Sequence, residues 1–249
     1  VGMSAIAAAS LVAAEGVEPI MHVNSRDRNR IALVSEALGA KALGLRNILC
    51  TSGTHQTLGA FRAAKNVFDL DAVQMLQAFS SLAVDCSLVG HGGIPGADGF
   101  CLGGVASQDA DPLELQVMRL EKKVEAGARF LITQPVYDFE RFHAWWGEVT
   151  RRGLQEKVTL VASIEPLMGE NLERIQAQKR PMPRVPASTL DRFAGADAAK
   201  QRALAIELAV ETVKRLSETK GLRGFSITAD GDHDAVLEIL QKAGLDKNG

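Results

Sequence analysis

Residues 99–138, GFCLGGVASQDADPLELQVMRLEKKVEAGARFLITQPVYD, constrain the fold more than any other stretch of the chain. They read as strand, loop, helix, strand. Phe100–Val105 is a short apolar run holding Gly103 and Gly104, the kind of strand that lets another group approach its backbone closely. Asp111 is placed to cap the next helix, with Pro112 at its first position and Glu114 three residues after Asp111. Leu113, Val117, Leu120 and Val124 recur at helical spacing as a buried stripe, and Gln116, Arg119 and Lys123 form a second stripe beside it. Gly127 ends the helix, and Phe130–Gln134 is a second apolar strand closed by Pro135. Two strands joined by a helix within about 35 residues form a parallel, right-handed unit. In such units the chemistry gathers at the carboxyl ends of the strands, here Ala106-Ser107 and Thr133-Gln134.

The same alternation runs through the rest of the chain. Strands are expected at 18–23, 47–51, 100–105, 130–134, 158–164 and 223–228. Helices are expected over 3–15, 28–43 (Ile31, Val34, Leu38 and Leu43 among its apolar positions), from Asp69 or Asp71 to 84, 111–126, 138–152, 171–178, 196–219 and 234–243. On the longest helix Ile206, Val210 and Val213 face inward, while Glu207, Glu211 and Arg215 are spaced to pair. Residues 57–69 lack periodicity and read as a loop over the strand ends; 85–98 is Gly-rich, a loop or a small hairpin; 179–187 is a basic, Pro-rich connector. Six strands alone suit an open sheet. A chain that opens with a helix also suits a (β/α)8 TIM-type barrel lacking its first two strands, and that α/β fold, as one partial barrel domain over 1–249, is the expectation.

Composition narrows the partners. With 28 basic and 30 acidic residues the net charge is −2, which supplies neither a nucleic-acid footprint nor a membrane-surface patch. Cys50, Cys86 and Cys101 are scattered without metal or CxxC spacing, so free thiols in a reducing, cytoplasmic setting are expected. The Ala-rich opening lacks a basic leading segment and reads as a buried helix, and no apolar run is long enough to span a bilayer.

Strand-end residues supply the candidates: His22, the Ser52-Gly53-Thr54-His55 loop, Ser107, Gln134, Glu165 and Thr228. His22 can face a pocket or be a hydrogen-bonded structural histidine. His55 reads as an exposed residue after a Gly turn, and His91, His143 and His233 as structural. No histidine–carboxylate spacing suggests a metal, no GxGxxG follows a strand, Thr51–Thr54 lacks a P-loop lysine, and there is no GxSxG elbow. Arg119, Lys122 and Lys123 suit a solvated helix face, or a phosphate-bearing cofactor because they border the core stripe. Trp145-Trp146 reads as helix packing. Residue chemistry by itself stops at an α/β domain with a polar pocket at its strand ends.

Several stretches resemble the methylenetetrahydrofolate reductase family, especially its short bacterial members: HVNSRDRNR (22–30), LGLRNILC (43–50), AKNVFDLDAVQML (64–76), 111–138, and more weakly SIEPL (163–167). The resemblance implies a flavin-containing barrel that reduces 5,10-methylenetetrahydrofolate to 5-methyltetrahydrofolate. FAD is implied rather than FMN, with electrons from NAD(P)H or a protein donor. It places His22 against the flavin, Ser52, Gly53 and Thr54 along its ring, Asp71 at the ribityl or ribose region, and Gln116, Arg119, Lys122 and Lys123 on the phosphate side. Gln134 would hydrogen-bond the pterin and Tyr137 stack beside it; Gln134 and Thr54 take the catalytic positions.

Three departures accompany the resemblance. The family's Gly-Asp is here Gly53-Thr54, which removes a carboxylate from beside the flavin and shifts its redox poise and folate protonation. Ser107-Gln108 stands where the family tends to have Asn or Tyr before Pro. The family's general-acid Glu lies on a first strand with no counterpart here, which points to a further segment upstream. A flavin-free folate-binding methyltransferase or methyl-transfer partner, or a non-catalytic subunit of a reductase complex, is the alternative. The expected partners are a tetrahydrofolate derivative and either further copies of the chain or a redox or methyl-transfer protein.

Overall fold

The structure, a computed structural model, describes residues 2–177, 183–229 and 231–246. In chain order its elements are α1 (Ala5–Ala14), β1 (Ile20–Asn24), α2 (Arg30–Ala42), β2 (Asn47–Thr51), α3 (Ala72–Ser80), β3 (Asp85–Cys86), β4 (His91–Gly92), β5 (Cys101–Ala106), α4 (Leu113–Glu125), β6 (Phe130–Pro135), α5 (Phe139–Arg151), β7 (Thr159–Ile164), α6 (Gly169–Gln176), α7 (Ala187–Asp191), α8 (Ala198–Ser217), β8 (Gly224–Ile227) and α9 (His233–Ala243). The fold is α/β, with a six-stranded sheet in the order β1-β2-β5-β6-β7-β8 and a separate β3-β4 hairpin. All six expected strands are present, and the Gly-rich stretch forms the hairpin. The chain divides into two compact units, Val1–Val105 with Arg119–Leu131, and Ala106–Met118 with Ile132–Gly249.

In the first unit β1, β2 and β5 pair in parallel, with His22 opposite Leu49 and Leu49 opposite Gly103. Along β1, Met21 and Val23 are buried, whereas Ile20 and His22 are exposed. The Phe130 ring lies on the Cα of Gly103, in the space a side chain there would fill. This is the close backbone approach that the glycine in an apolar strand implies. Asn29 caps α2 by accepting from the Ala32 amide at 3.0 Å, and Asp71 caps α3 through a full capping box with Gln74.

Two expectations for this unit are corrected. Helix α1 is not buried: only Ala9 is, and Leu11 and Val12 face solvent. Helix α3 stops at Ser80, short of Val84, which is exposed. Helix α2 forms as expected and buries Leu33, Ala37 and Ala40, small alanines letting it sit close to its neighbours, while Ile31 and Leu43 are exposed. Ile31, Val34 and Leu38 line a groove with Val89, Ile94 and Pro95.

In the second unit β7 and β8 pair in parallel, Ser163 opposite Ser226. Phe142, Trp145 and Trp146 of α5 form a buried aromatic cluster with centroids 5.8–6.0 Å apart. Ile206, Val210 and Val213 of α8 are buried as expected. Glu211 lies 4.0 Å from Arg215, but Glu207 pairs with Arg192 instead. Asp111 does not cap α4: its carboxylate pairs with Arg141 at 2.6 Å and with Arg184, and the Leu115 amide bonds the Pro112 carbonyl. Helix α7 falls within the stretch expected to lead into the longest helix. Residue 178, the end of the expected 171–178 helix, and residues 179–182 of the basic connector lie outside the described residues. Among the described residues no helix is long and apolar enough to cross a membrane.

Candidate functional site

The first unit gathers polar groups where β1, β2 and β5 end. Thr51 Oγ1 accepts from the Gly53 amide at 3.3 Å, and Ser52 Oγ accepts from the Ala72 amide at 3.2 Å, tying the β2 end to the start of α3. Gly53 adopts φ +82°, and a Cβ there would meet the Cβ atoms of Arg26 and Asn24 at 3.2 and 3.3 Å. Only glycine fits that turn. The Thr54 carbonyl accepts from the Arg26 guanidinium at 3.0 Å. Asn24 Oδ1 and Ser25 Oγ are buried at the β1 end with no hydrogen-bond partner among the described residues.

Lys123 reaches the end of β5, where its Nζ donates to the Val105 carbonyl. Burial first, and then the charge of Arg119, pulls its pKa down to about 8, against an opposing pull from Asp71. Asp71, Arg119 and Lys123 are therefore brought within electrostatic reach of one another. Lys122 is exposed, about 100° round the helix from Lys123, and is not part of this group. Gln116, one turn before Arg119 on α4, is buried. His22 stands on the exposed side of β1, and desolvation by the chain around it lowers its pKa.

The second unit builds its site around Gln134 at the end of β6. Ser107 Oγ donates to Gln134 Oε1 at 2.9 Å. Gln108, fully buried, clasps the main chain of the same residue: its Oε1 accepts from the Gln134 amide at 3.1 Å and its Nε2 donates to the Gln134 carbonyl at 2.9 Å. Arg141 braces the loop by donating to the Gln108 and Ala110 carbonyls at 3.2 and 2.9 Å. Tyr137 is half-buried with its hydroxyl accepting from Asn171 Nδ2 at 3.1 Å; desolvation, and then the negative charge of Glu165, pushes its pKa up. Tyr137 and Glu165 line a cavity of about 150 Å³ together with Thr189, Arg192, Thr212 and Arg215.

Sequence reasoning missed the acid in this group. Asp109 is 1% exposed, Oδ2 accepts from the Arg184 amide at 3.2 Å, and burial raises its pKa to about 6. It also missed the bidentate Arg30–Asp69 pair, at 2.7–2.9 Å, which ties the 55–69 loop to α2. Because the folded protein holds the Asp109 proton more tightly than the unfolded chain, this group's stabilising contribution is complete below about pH 4 and is lost as pH rises through about 6. Asp109→Asn is expected to reduce the fall in stability between pH 4 and pH 7 by about 1–3 kcal/mol, read by urea unfolding at both pH values. An unchanged pH profile would contradict the assignment.

Residues 1–244 match the model of the methylenetetrahydrofolate reductase family. The chain belongs to this family. It is 24% identical over 240 residues to a "Probable methylenetetrahydrofolate reductase (NADPH)" of Caenorhabditis elegans, an alignment spanning 96% of this chain and 34% of that reductase. The chain thus spans about a third of that relative's length. Among solved structures, an "Uncharacterized protein from Clostridium thermocellum binds two copies of 5-methyl-5,6,7,8-tetrahydrofolic acid" shares the fold. Its TM-score is 0.55 at 11% identity, covering 90% of this methylenetetrahydrofolate reductase relative and 71% of that chain.

Proposed function

We propose that this chain is a flavin-dependent methylenetetrahydrofolate reductase, reducing 5,10-methylenetetrahydrofolate to 5-methyltetrahydrofolate. The observation that carries the reading is the Gln134 carboxamide, held at a strand end by Ser107 and Gln108 beside Tyr137 and Asp109. A side-chain amide with both its backbone and its oxygen fixed is a rigid reader of a heterocycle edge, as a pterin requires. Tyr137 adds a ring surface within the same unit.

The first unit fits a flavin. Arg119 and Lys123, one turn apart, supply two cations for a diphosphate, and the unpartnered Asn24 Oδ1 and Ser25 Oγ await donors. Gly53 keeps its turn free of a side chain, and His22, Ser52, Thr54 and Asp71 complete the proposed contacts. Lys122 contributes least. A flavin bound there supplies hydride transfer. Thr54 stands where the family has an aspartate, so one carboxylate fewer faces the cofactor. NAD(P)H or a protein donor would feed it electrons.

The Thr54 substitution also favours the second reading, a folate-binding methyl-transfer protein without flavin. Titration with tetrahydrofolate separates folate binding from redox chemistry. Gln134→Ala is expected to weaken tetrahydrofolate binding about 10- to 100-fold, the loss expected when a buried polar contact is removed. Binding unaffected by Gln134→Ala would overturn the assignment of the pterin to this residue.

A further inference from the structure

Residues 183–193 cross part of the second unit with little to hold them down. Helix α7, within this stretch, buries none of its residues, and the exposed Arg192–Glu207 pair beside it contributes little. A segment with so few buried apolar contacts opens at low free-energy cost. It is fastened at two points. Phe193, 1% exposed, anchors one end in the core. At the other end the Arg184 amide donates to the buried Asp109 carboxylate at 3.2 Å, and the Arg184 guanidinium pairs with Asp111, which Arg141 also holds at 2.6 Å. Between the two fastenings Thr189 and Arg192 form one wall of the cavity beside Tyr137, and Ala209 of α8, 5% exposed, lies on another. All of these residues belong to the second unit.

We propose that residues 183–193 are a strap over the Tyr137 cavity, latched at Arg184 by Asp109 and Asp111, and that release of this latch opens the cavity. The strap acts in this way whatever ligand the cavity takes, and its latch loosens as pH rises. In the latched form burial lifts the Asp109 pKa to about 6; the Arg184 amide and the charges of Arg141 and Arg184 pull it down, and Asp138 pushes it up. Tyr137, which also faces this carboxyl, stays neutral over the same range. Once Arg184 lifts away, water reaches Asp109 and its pKa returns to the ordinary 3.8. The latched form therefore binds the proton more tightly. Latching is favoured fully below about pH 4 and weakens as pH rises through about 6, by about tenfold between pH 5 and pH 7.

The test reads latch and cavity separately, and neither reading needs a ligand. Amide exchange of Arg184 and Leu190, resolved by NMR, follows the strap: Arg184 is held by Asp109, and the Leu190 amide bonds the Pro186 carbonyl at 3.2 Å inside α7. Corrected for intrinsic exchange, protection at both should fall about tenfold from pH 5 to pH 7 in the wild type. Asp109→Asn keeps an acceptor for the Arg184 amide but cannot ionise, and should hold protection within about twofold over that range. Cavity access is followed in Ala209→Cys by the rate at which methyl methanethiosulfonate labels the new thiol, measured on the peptide that carries it. Adding Asp109→Ala and Arg184→Ala, which removes both fastenings at that end, should speed labelling about tenfold at one pH. Wild-type protection that does not change with pH, or that falls equally in Asp109→Asn, would overturn the latch. Labelling of residue 209 unmoved by loss of both fastenings, in protein still folded by its melting temperature, would overturn the strap as the cover of the cavity.

Discussion

Arg119→Ala combined with Lys123→Ala is expected to strip the protein of its flavin. Each guanidinium or ammonium contact to a phosphate oxygen contributes about 1.5–3 kcal/mol, so losing both should weaken flavin affinity about 10²- to 10⁴-fold. The flavin-to-protein ratio after desalting, and titration of the stripped protein with FAD, read this directly. Lys122→Ala, on a different face of α4, should stay within about threefold of wild type. The lowered Lys123 pKa adds a pH signature. Below about pH 8 the side chain is charged and holds an anion, and affinity should fall as pH rises through that value. Lys123→Arg, whose guanidinium stays protonated, should keep its affinity at high pH. Lys123→Ala also removes the Nζ bond to the Val105 carbonyl, so the melting temperature of the double variant is read beside its flavin content, and the loss of flavin is expected at a temperature where the variant is folded. Full flavin retention in the double variant would remove α4 from the cofactor site.

Gly103→Ala is expected to destabilise the first unit strongly. A Cβ at Gly103 would lie 2.2–2.5 Å from three atoms of the Phe130 ring, far inside contact distance, and Phe130 is itself buried. Either the ring leaves its packed position or β5 shifts against its neighbour. Overpacking of this kind costs about 2–4 kcal/mol, a fall of about 5–15 °C in melting temperature for a chain of this size. Adding Phe130→Leu should recover about 1 kcal/mol or more relative to the sum of the two single effects, because both changes act on one contact. Strictly additive effects, or an unchanged melting temperature in Gly103→Ala, would show that the ring does not occupy that space.

The fold was legible wherever periodicity and glycine spoke together. The 99–138 unit shows its two strands, its helix and the close approach at Gly103 in local sequence, and the remaining strands follow by the same alternation. Helix α2 is legible as a helix, but its buried face is not, because Ala37 and Ala40 carry it with Leu33 and alanine scarcely registers in a reading that ranks side chains by bulk. Asp111 misleads because the same residue type caps helices and pairs with arginines, and its partners Arg141 and Arg184 are 30 and 73 residues away. The candidate site divides in the same way. Gln134 and Ser107 announce themselves as polar residues at strand ends. Asp109 does not, since its burial and its bond to the Arg184 amide, 75 residues on, depend on a loop that no local pattern describes. Gln108 looked like a departure from the family's proline; in the folded chain it is the clasp on Gln134.

The most direct test of a flavin-dependent folate reductase is anaerobic addition of 5-methyltetrahydrofolate to the purified protein while its visible absorbance is followed. The flavin band of a yellow protein should bleach as the methyl compound is oxidised and return when 5,10-methylenetetrahydrofolate is supplied in excess. A colourless protein that takes up no added flavin, or a flavin band that 5-methyltetrahydrofolate leaves unchanged, would contradict the account.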